Sequence, residues 1–404
     1  MASAPRRRGP LAFLRRTIAA LAVLIVAAVA LAWYLTLPSA PGAFYAHPLP
    51  ADAAPGTLIA AEPYTTAVPE NAEGWLILYA TTRVGKPALA SAVVLVPRAA
   101  ASGPRPVVAW AHGTTGIAAP CAPSLFPKPF DNIPDIAALV NEGWAYVGTD
   151  YPGLGTSGGH TYFVGEDAAH AVLDSVRAAR QLQQANLGDE VVVWGHSQGG
   201  GSALWTGTRA AEFAPELKVK GIAALAPASD LKGLVSSAQG NFFGKIVSAY
   251  IVASYASVYP DVKAEDYVHG FTRLLAADIA QRCVSGYKTL FAVAEAMLAP
   301  AAGIFAVDPT TGPLGAHLAE NTPSTPFPIP LLIGQGEADD VVHPDLQRRY
   351  AAAMCAAGQQ LDFRLYPGRD HISVVTADSP LAPDLIAWTR DRFANAAFTP
   401  NCPT

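Results

Sequence analysis

The sequence predicts an α/β fold, a mostly parallel central sheet flanked by helices, with a helical cap inserted between two of its strands. Three observations predict it. From Asp135 onward, short β-branched runs alternate with stretches of helical apolar spacing, the pattern of parallel strands joined by helical crossovers. The run Val191-Val192-Val193-Trp194 passes through a glycine-rich turn into Gly200-Gly201-Ser202-Ala203, a strand, a tight turn and a helix in succession. The alternation stops after Asp230 and resumes at Ile329, which leaves residues 231–326 as an insertion of helical spacing.

Taken in order, the chain opens with a basic segment, residues 1–16, carrying Arg6, Arg7, Arg8, Arg15 and Arg16. Residues 17–37 follow without a charge and are long enough to cross a bilayer as a helix. Trp33 and Tyr34 sit near the far end, as interfacial aromatics do. A small-x-small cleavage site occurs only inside the stretch, at Ala28-Val29-Ala30, or in poor form at Pro38-Ser39-Ala40. The favoured reading is an uncleaved membrane anchor, the other a cleaved secretory signal. Either way the arginines stay in the cytoplasm and the rest of the chain is exported. Residues 38–57, rich in Pro, Ala and Gly, read as a linker lifting a domain of residues 58–404 off the membrane.

The composition excludes several classes. A chain of 404 residues that is 51% hydrophobic buries a large core, and a net charge of -5 with scattered basic residues gives nucleic acid nothing to bind. Cys121, Cys283, Cys355 and Cys402 suit an exported domain as two disulfides, for which three connectivities are open. No C-x-x-C or H-E-x-x-H occurs, so no metal is expected, and nothing calls for a cofactor. Gly153-Leu154-Gly155-Thr156-Ser157-Gly158 matches a dinucleotide fingerprint, but Gly159-His160-Thr161-Tyr162 follows it in place of an apolar helix start.

Strands are expected at residues 75–81, 91–96 and 106–111, opening an antiparallel edge, then at 144–149, 191–194, 221–225, 329–333 and 361–366. Helices are expected at 135–141, 167–184, 345–357 and 382–396. The turn Gly195-His196-Ser197-Gln198-Gly199 would lift the Ser197 hydroxyl above the sheet, making it the candidate nucleophile. A serine hydroxyl is a poor nucleophile until a histidine takes its proton and a carboxylate orients that histidine. The loop after 329–333 offers Asp339 and Asp340. Asp339 is preferred because it fits G-x-x-D-x-x-V with Gly336 and Val342. The loop after 361–366 offers His371, the best placed of nine histidines, ahead of His196 and His343. The order Ser, Asp, His is that of an α/β-hydrolase. An oxyanion hole would combine the Gln198 amide with a donor from Thr114, Thr115 or Gly116, which follow the strand 106–111.

These motifs resemble the secretory lipase family of α/β-hydrolases. The resemblance runs over roughly residues 60–402 and rests on His112-Gly113-Thr114-Thr115-Gly116 with Cys121-Ala122-Pro123-Ser124, on Asp150-Tyr151 with Gly153 and Gly155, on residues 195–199 and 336–342, and on His371. It implies a Ser197, Asp339, His371 triad, hydrolysis of acyl esters of acylglycerols or other lipids, a cap over an acyl tunnel, and disulfides joining Cys121 to Cys283 and Cys355 to Cys402. Two departures stand out: Thr114, Thr115 and Gly116 occupy a loop where a yeast member carries an acidic side chain, and members secreted by cleavage lack a membrane segment. The alternatives are a short-chain esterase or peptidase of the same fold, or a non-catalytic surface binding protein on a hydrolase scaffold.

Overall fold

The computed structural model describes residues 10–403 except 239, 287 and 288, so Arg6, Arg7 and Arg8 lie outside the described residues. The apolar amino-terminal run forms one helix, α1 (Pro10–Leu35). Nine strands make a single sheet: β1 (Leu58–Tyr64), β2 (Ala72–Arg83), β3 (Lys86–Pro97), β4 (Arg105–Ala111), β5 (Ala145–Thr149), β6 (Leu187–His196), β7 (Lys218–Leu225), β8 (Leu331–Gly336) and β9 (Leu361–Tyr366). Their spatial order is β1-β2-β3-β5-β4-β6-β7-β8-β9, antiparallel from β1 to β5 and parallel from there on. A two-residue turn, Val84 and Gly85, joins β2 to β3 with φ of 49° and 67°, the backbone hand that matches strand twist.

Helices α2 (Ile136–Asn141), α3 (Gly165–Ala179) and α4 (Gln198–Phe213) begin the two outer layers. Between β7 and β8 the chain leaves the sheet for α5 (Leu231–Ala238), α6 (Phe242–Val258), α7 (Ala264–Tyr267), α8 (Gly270–Ile279), α9 (Thr289–Leu298) and α10 (Gly312–Glu320). It returns through β8 to α11 (Pro344–Ala356), β9 and α12 (Leu381–Phe393).

Burial on both faces explains why β6 reads as an unbroken apolar run rather than an alternating one. Val191 and Val193 enter the core shared with α3 and α4, while Val192 and Trp194 enter the core shared with α2 and α12. Trp194 is fully buried, and its indole N–H donates to Thr389 Oγ1 on α12 at 2.9 Å, so the ring is buried without an orphaned donor. The inserted helices have a third core of their own around Ile246, Tyr250, Ile251 and Tyr255, joined by Tyr162, Ala228 and Val342 from the sheet domain. Disulfides join Cys121 to Cys283 and Cys355 to Cys402.

Two segments differ from expectation. β1 was not foreseen, because Ala60-Ala61-Glu62-Pro63 lacks β-branched residues and is ordered by pairing along β2. Residues 38–57 lie on the domain instead of lifting it away. Tyr45 is buried there with its hydroxyl 2.8 Å from Ser124 Oγ, and Gln181 Nε2 donates to Gly56 O at 2.6 Å.

Candidate active site

The site grows from the turn between β6 and α4. Ser197 has φ 57° and ψ −117°, a conformation that costs a non-glycine residue free energy and is kept only where the surroundings impose it. The glycines around it are dictated by contact: a Cβ on Gly195 would meet Gly199 O, and one on Gly199 would meet Ala111 O of β4. The strand and helix therefore cross at backbone contact, and the hydroxyl stands at the carboxyl end of the sheet.

Two further loops at that end bring their side chains to the serine. His371 follows β9, and its Nε2 lies 2.8 Å from Ser197 Oγ. Asp339 follows β8, and its Oδ2 lies 2.8 Å from His371 Nδ1. A carboxylate facing Nδ1 fixes the neutral tautomer with its proton there, leaving Nε2 to accept from the serine. Asp339 is buried. Burial alone would raise its carboxyl, but the bond to His371 and the amides of Val341 and Val342, at 2.9 and 2.8 Å, outweigh it and hold the group below the ordinary carboxylate value. Gln335 Nε2 adds a donor to Oδ2 at 3.0 Å. Asp340 and His343 are exposed, and neither side chain bonds His371 among the described residues.

His196 has a separate place. It is buried, and its Nε2 donates to the backbone carbonyl of His371 at 2.8 Å. Burial and the neighbouring His371 push its imidazole down to about 3, so it stays neutral.

Ser197 and His371 open into a cavity of about 450 Å³ walled by His112, Gly113, Thr114 and Thr115 on one side and by Phe243, Val284 and Thr289 of the insertion on the other. The Gln198 amide starts α4 with no acceptor among the described residues, and the same holds for the amides of Thr114 and Thr115. Gly116 does not line the cavity. It sits at φ 128° against Cys121 Sγ and Arg282 O. The Thr114 hydroxyl is 2.7 Å from Tyr162 OH, and the buried Thr115 hydroxyl has no partner among the described residues. The Gln198 side chain turns to His160, with its Nε2 3.0 Å from the ring Nε2. Burial pushes His160 down to about 3, so its neutral ring accepts that bond. Sequence reasoning missed Tyr162 and His160 because nothing local marks a contact across the β5–α3 loop. Residues 155–158 of the glycine loop wall a larger cleft of about 770 Å³, with Arg83 and Lys86, that does not contain Ser197. Its Gly155 amide bonds Ala119 O, an internal packing use of the glycines.

The profile of the family described as Secretory lipase matches residues 132–401, well over half of the chain. The chain belongs to the secretory lipase family. Membership makes it a lipase-like ester hydrolase by class. A secreted triacylglycerol lipase of Malassezia globosa is 26% identical over 86% of this chain and 77% of its own length. A probable inactive lipase of Mycobacterium tuberculosis is 25% identical over 89% of this chain and 82% of its own. In structure, the secretory lipase chain is similar to Candida antarctica lipase A in its closed state, with a TM-score of 0.74 at 20% identity over 90% of this chain and 88% of that one, a likeness of fold. A secreted relative and two disulfides fit an exported domain.

Proposed function

We propose that this secretory lipase cleaves carboxylic esters of acylglycerols or other lipids through an acyl-enzyme on Ser197, with His371 as general base and acid and Asp339 as the group that orients it. The observation that carries the reading is the unbroken line of two 2.8 Å contacts from Ser197 Oγ through both nitrogens of His371 to Asp339. A binding protein has no use for that line.

The step follows from the geometry. Ser197 Oγ bonds to the ester carbonyl carbon while its proton passes to His371 Nε2, and the carbonyl π electrons move onto oxygen. The amides of Gln198 and of Thr114 or Thr115 receive that oxyanion, donors worth roughly 10²–10³ in rate each. The C–O bond to the alcohol then breaks, and the imidazolium proton goes to the departing oxygen. Water repeats the sequence against the acyl-serine, releasing the acid and restoring the hydroxyl.

Residues 231–326 serve as the cap, since Phe243, Val284 and Thr289 already wall the cavity from that side. α1 serves as an uncleaved anchor. Its span Phe13–Leu35 has a mean hydropathy of 2.6 and none of it is buried in the protein. At about 1.5 Å per residue it covers the roughly 30 Å of a bilayer's hydrocarbon. Hydrolysis of p-nitrophenyl esters from acetate to palmitate, beside Ser197→Ala, tests the proposal. Activity that vanishes in the variant and peaks at long chains is expected. A peak at acetate leaves the chemistry and removes the lipid substrate.

A further inference from the structure

The last turn of α1 is held by the insertion. Trp33 Nε1 donates to Asp278 Oδ1 at 3.0 Å, Arg282 Nη1 donates to Thr36 Oγ1 at 3.0 Å, and the guanidinium lies 5.7 Å from the centre of the Trp33 ring. Arg282 is fully buried, bonded to Asp278 at 2.6 Å and paired with Glu295 at 3.3 Å, with its guanidinium 4.3 Å from the centre of the Phe291 ring. Burial and the neighbouring Asp278 push the Glu295 carboxyl up to about 8, so Asp278 supplies the charge. A planar cation held by one carboxylate, a neighbouring carboxyl group and an aromatic face is a rigid seat. That seat adjoins the cavity: Val284 donates its amide to Thr115 O at 2.8 Å, and Cys283 is bonded to Cys121.

Around the seat the insertion shows apolar side chains to solvent. Phe271 and Leu274 on α8 are 64% and 68% exposed, and Leu290, Met297 and Leu298 on α9 are 68%, 73% and 69% exposed. Outside α1, these are five of the nine exposed large apolar side chains among the described residues, and they sit on the two helices that supply Asp278 and Glu295. Phe271, Leu274 and Asp278 fall on one stripe of α8, so the apolar stripe ends at the residue that holds Trp33. Soluble surfaces rarely gather so much apolar area without a partner.

The partner is identified by what is docked beside it. Trp33, near the end of a helix of membrane-spanning length, belongs at the level where hydrocarbon meets water, and residues bonded to it share that level. We infer that α1 seats α8 and α9 on the outer leaflet of the bilayer it crosses, so that the cap is a lipid-facing surface and the cavity draws acyl esters from that membrane. This rests on the reading of α1 as a retained anchor.

The test uses the full chain in phosphatidylcholine vesicles containing doxyl-labelled phosphatidylcholine, with a bimane fluorophore on a single introduced cysteine. Both native pairs are oxidised and do not compete for label. Leu274→Cys and Met297→Cys are compared with Ser102→Cys, in the turn before β4 at the opposite, amino end of the parallel strands. Quenching at 274 and 297 at least threefold that at 102 is expected, and equal quenching at the three positions overturns the seating. Trp33→Ala in the chain labelled at 274 should lower that quenching by half or more, whereas unchanged quenching overturns the role of the docked turn. A chain recovered outside the vesicles with α1 removed, by intact mass, also overturns it. Hydrolysis of p-nitrophenyl butyrate is read on the same vesicles. Hydrolysis without quenching defeats the seating alone, and quenching without hydrolysis supports the seating while defeating the ester chemistry.

Discussion

His196 Nε2 donates to the main-chain oxygen of His371 at 2.8 Å, so the residue before Ser197 holds the loop of the histidine proposed to take the serine proton. The turn at Ser197 and the loop of His371 come from strands far apart in sequence, and this bond ties one to the other without using the Ser197 hydroxyl or the His371 imidazole.

Replacing His196 by Phe keeps the ring volume and removes the donor. The buried carbonyl of His371 is then left without its partner, which costs about 1–3 kcal/mol. The expected outcome is a lower urea midpoint and a kcat reduced by roughly tenfold with KM little changed, read on p-nitrophenyl butyrate. An unchanged kcat would separate His196 from the chemistry.

Asp339 and Asp340 are neighbours with opposite environments. Asp339→Asn should lower kcat by roughly 10⁴, because the amide fails to hold the required tautomer. Asp340→Asn, at an exposed position, should leave kcat within about twofold. Paired kinetics on the two variants check the assignment, and a reversed result would move the orienting role to Asp340.

His160 stays neutral in the fold because burial pushes it down to about 3, against an ordinary value of 6.5. A base whose folded value is depressed contributes stability above its unfolded value. That contribution is lost as pH falls from 6.5 toward the folded value, at about 1.4 kcal/mol per unit. His160→Gln removes this loss, so its destabilisation relative to wild type should shrink by roughly 2 kcal/mol between pH 7 and pH 5. Urea titrations at the two pH values measure it, and an equal difference at both would show that His160 is not held neutral.

The Cys121–Cys283 bond closes a separation of 162 residues and ties the segment beside Thr115 to the cap. Replacing both cysteines by alanine should cost about 2–5 kcal/mol. It should also lower kcat, since the Val284–Thr115 bond loses its support. Calorimetry with ester kinetics checks both effects. Loss of stability at constant kcat would confine the disulfide to the fold.

The legible parts of this molecule were those with local causes. β9 runs over residues 361–366, where Leu361, Phe363 and Leu365 alternate with Asp362 and Arg364, and the turn at Ser197 is written in glycines that backbone contact requires. Asp339 and His371 were legible as candidates because each sits on the loop that leaves a strand. What stayed hidden depends on partners distant in sequence. β1 exists because β2 offers an edge, Tyr45 pins a segment read as a spacer, and Trp33 meets Asp278 across 245 residues of separation. No window of sequence holds both halves of such a contact.

The central claim is that Ser197 carries the acyl group, and covalent trapping tests it most directly. A p-nitrophenyl alkylphosphonate would lose p-nitrophenolate to a serine oxygen and leave the phosphonyl group on it. Intact mass should show one group per chain, peptide mapping should place it on Ser197, and ester hydrolysis should fall in proportion to labelling. A preparation that hydrolyses esters yet carries the group elsewhere, or none, would contradict the account. A chain that neither labels nor hydrolyses would stand beside the probable inactive lipase of Mycobacterium tuberculosis.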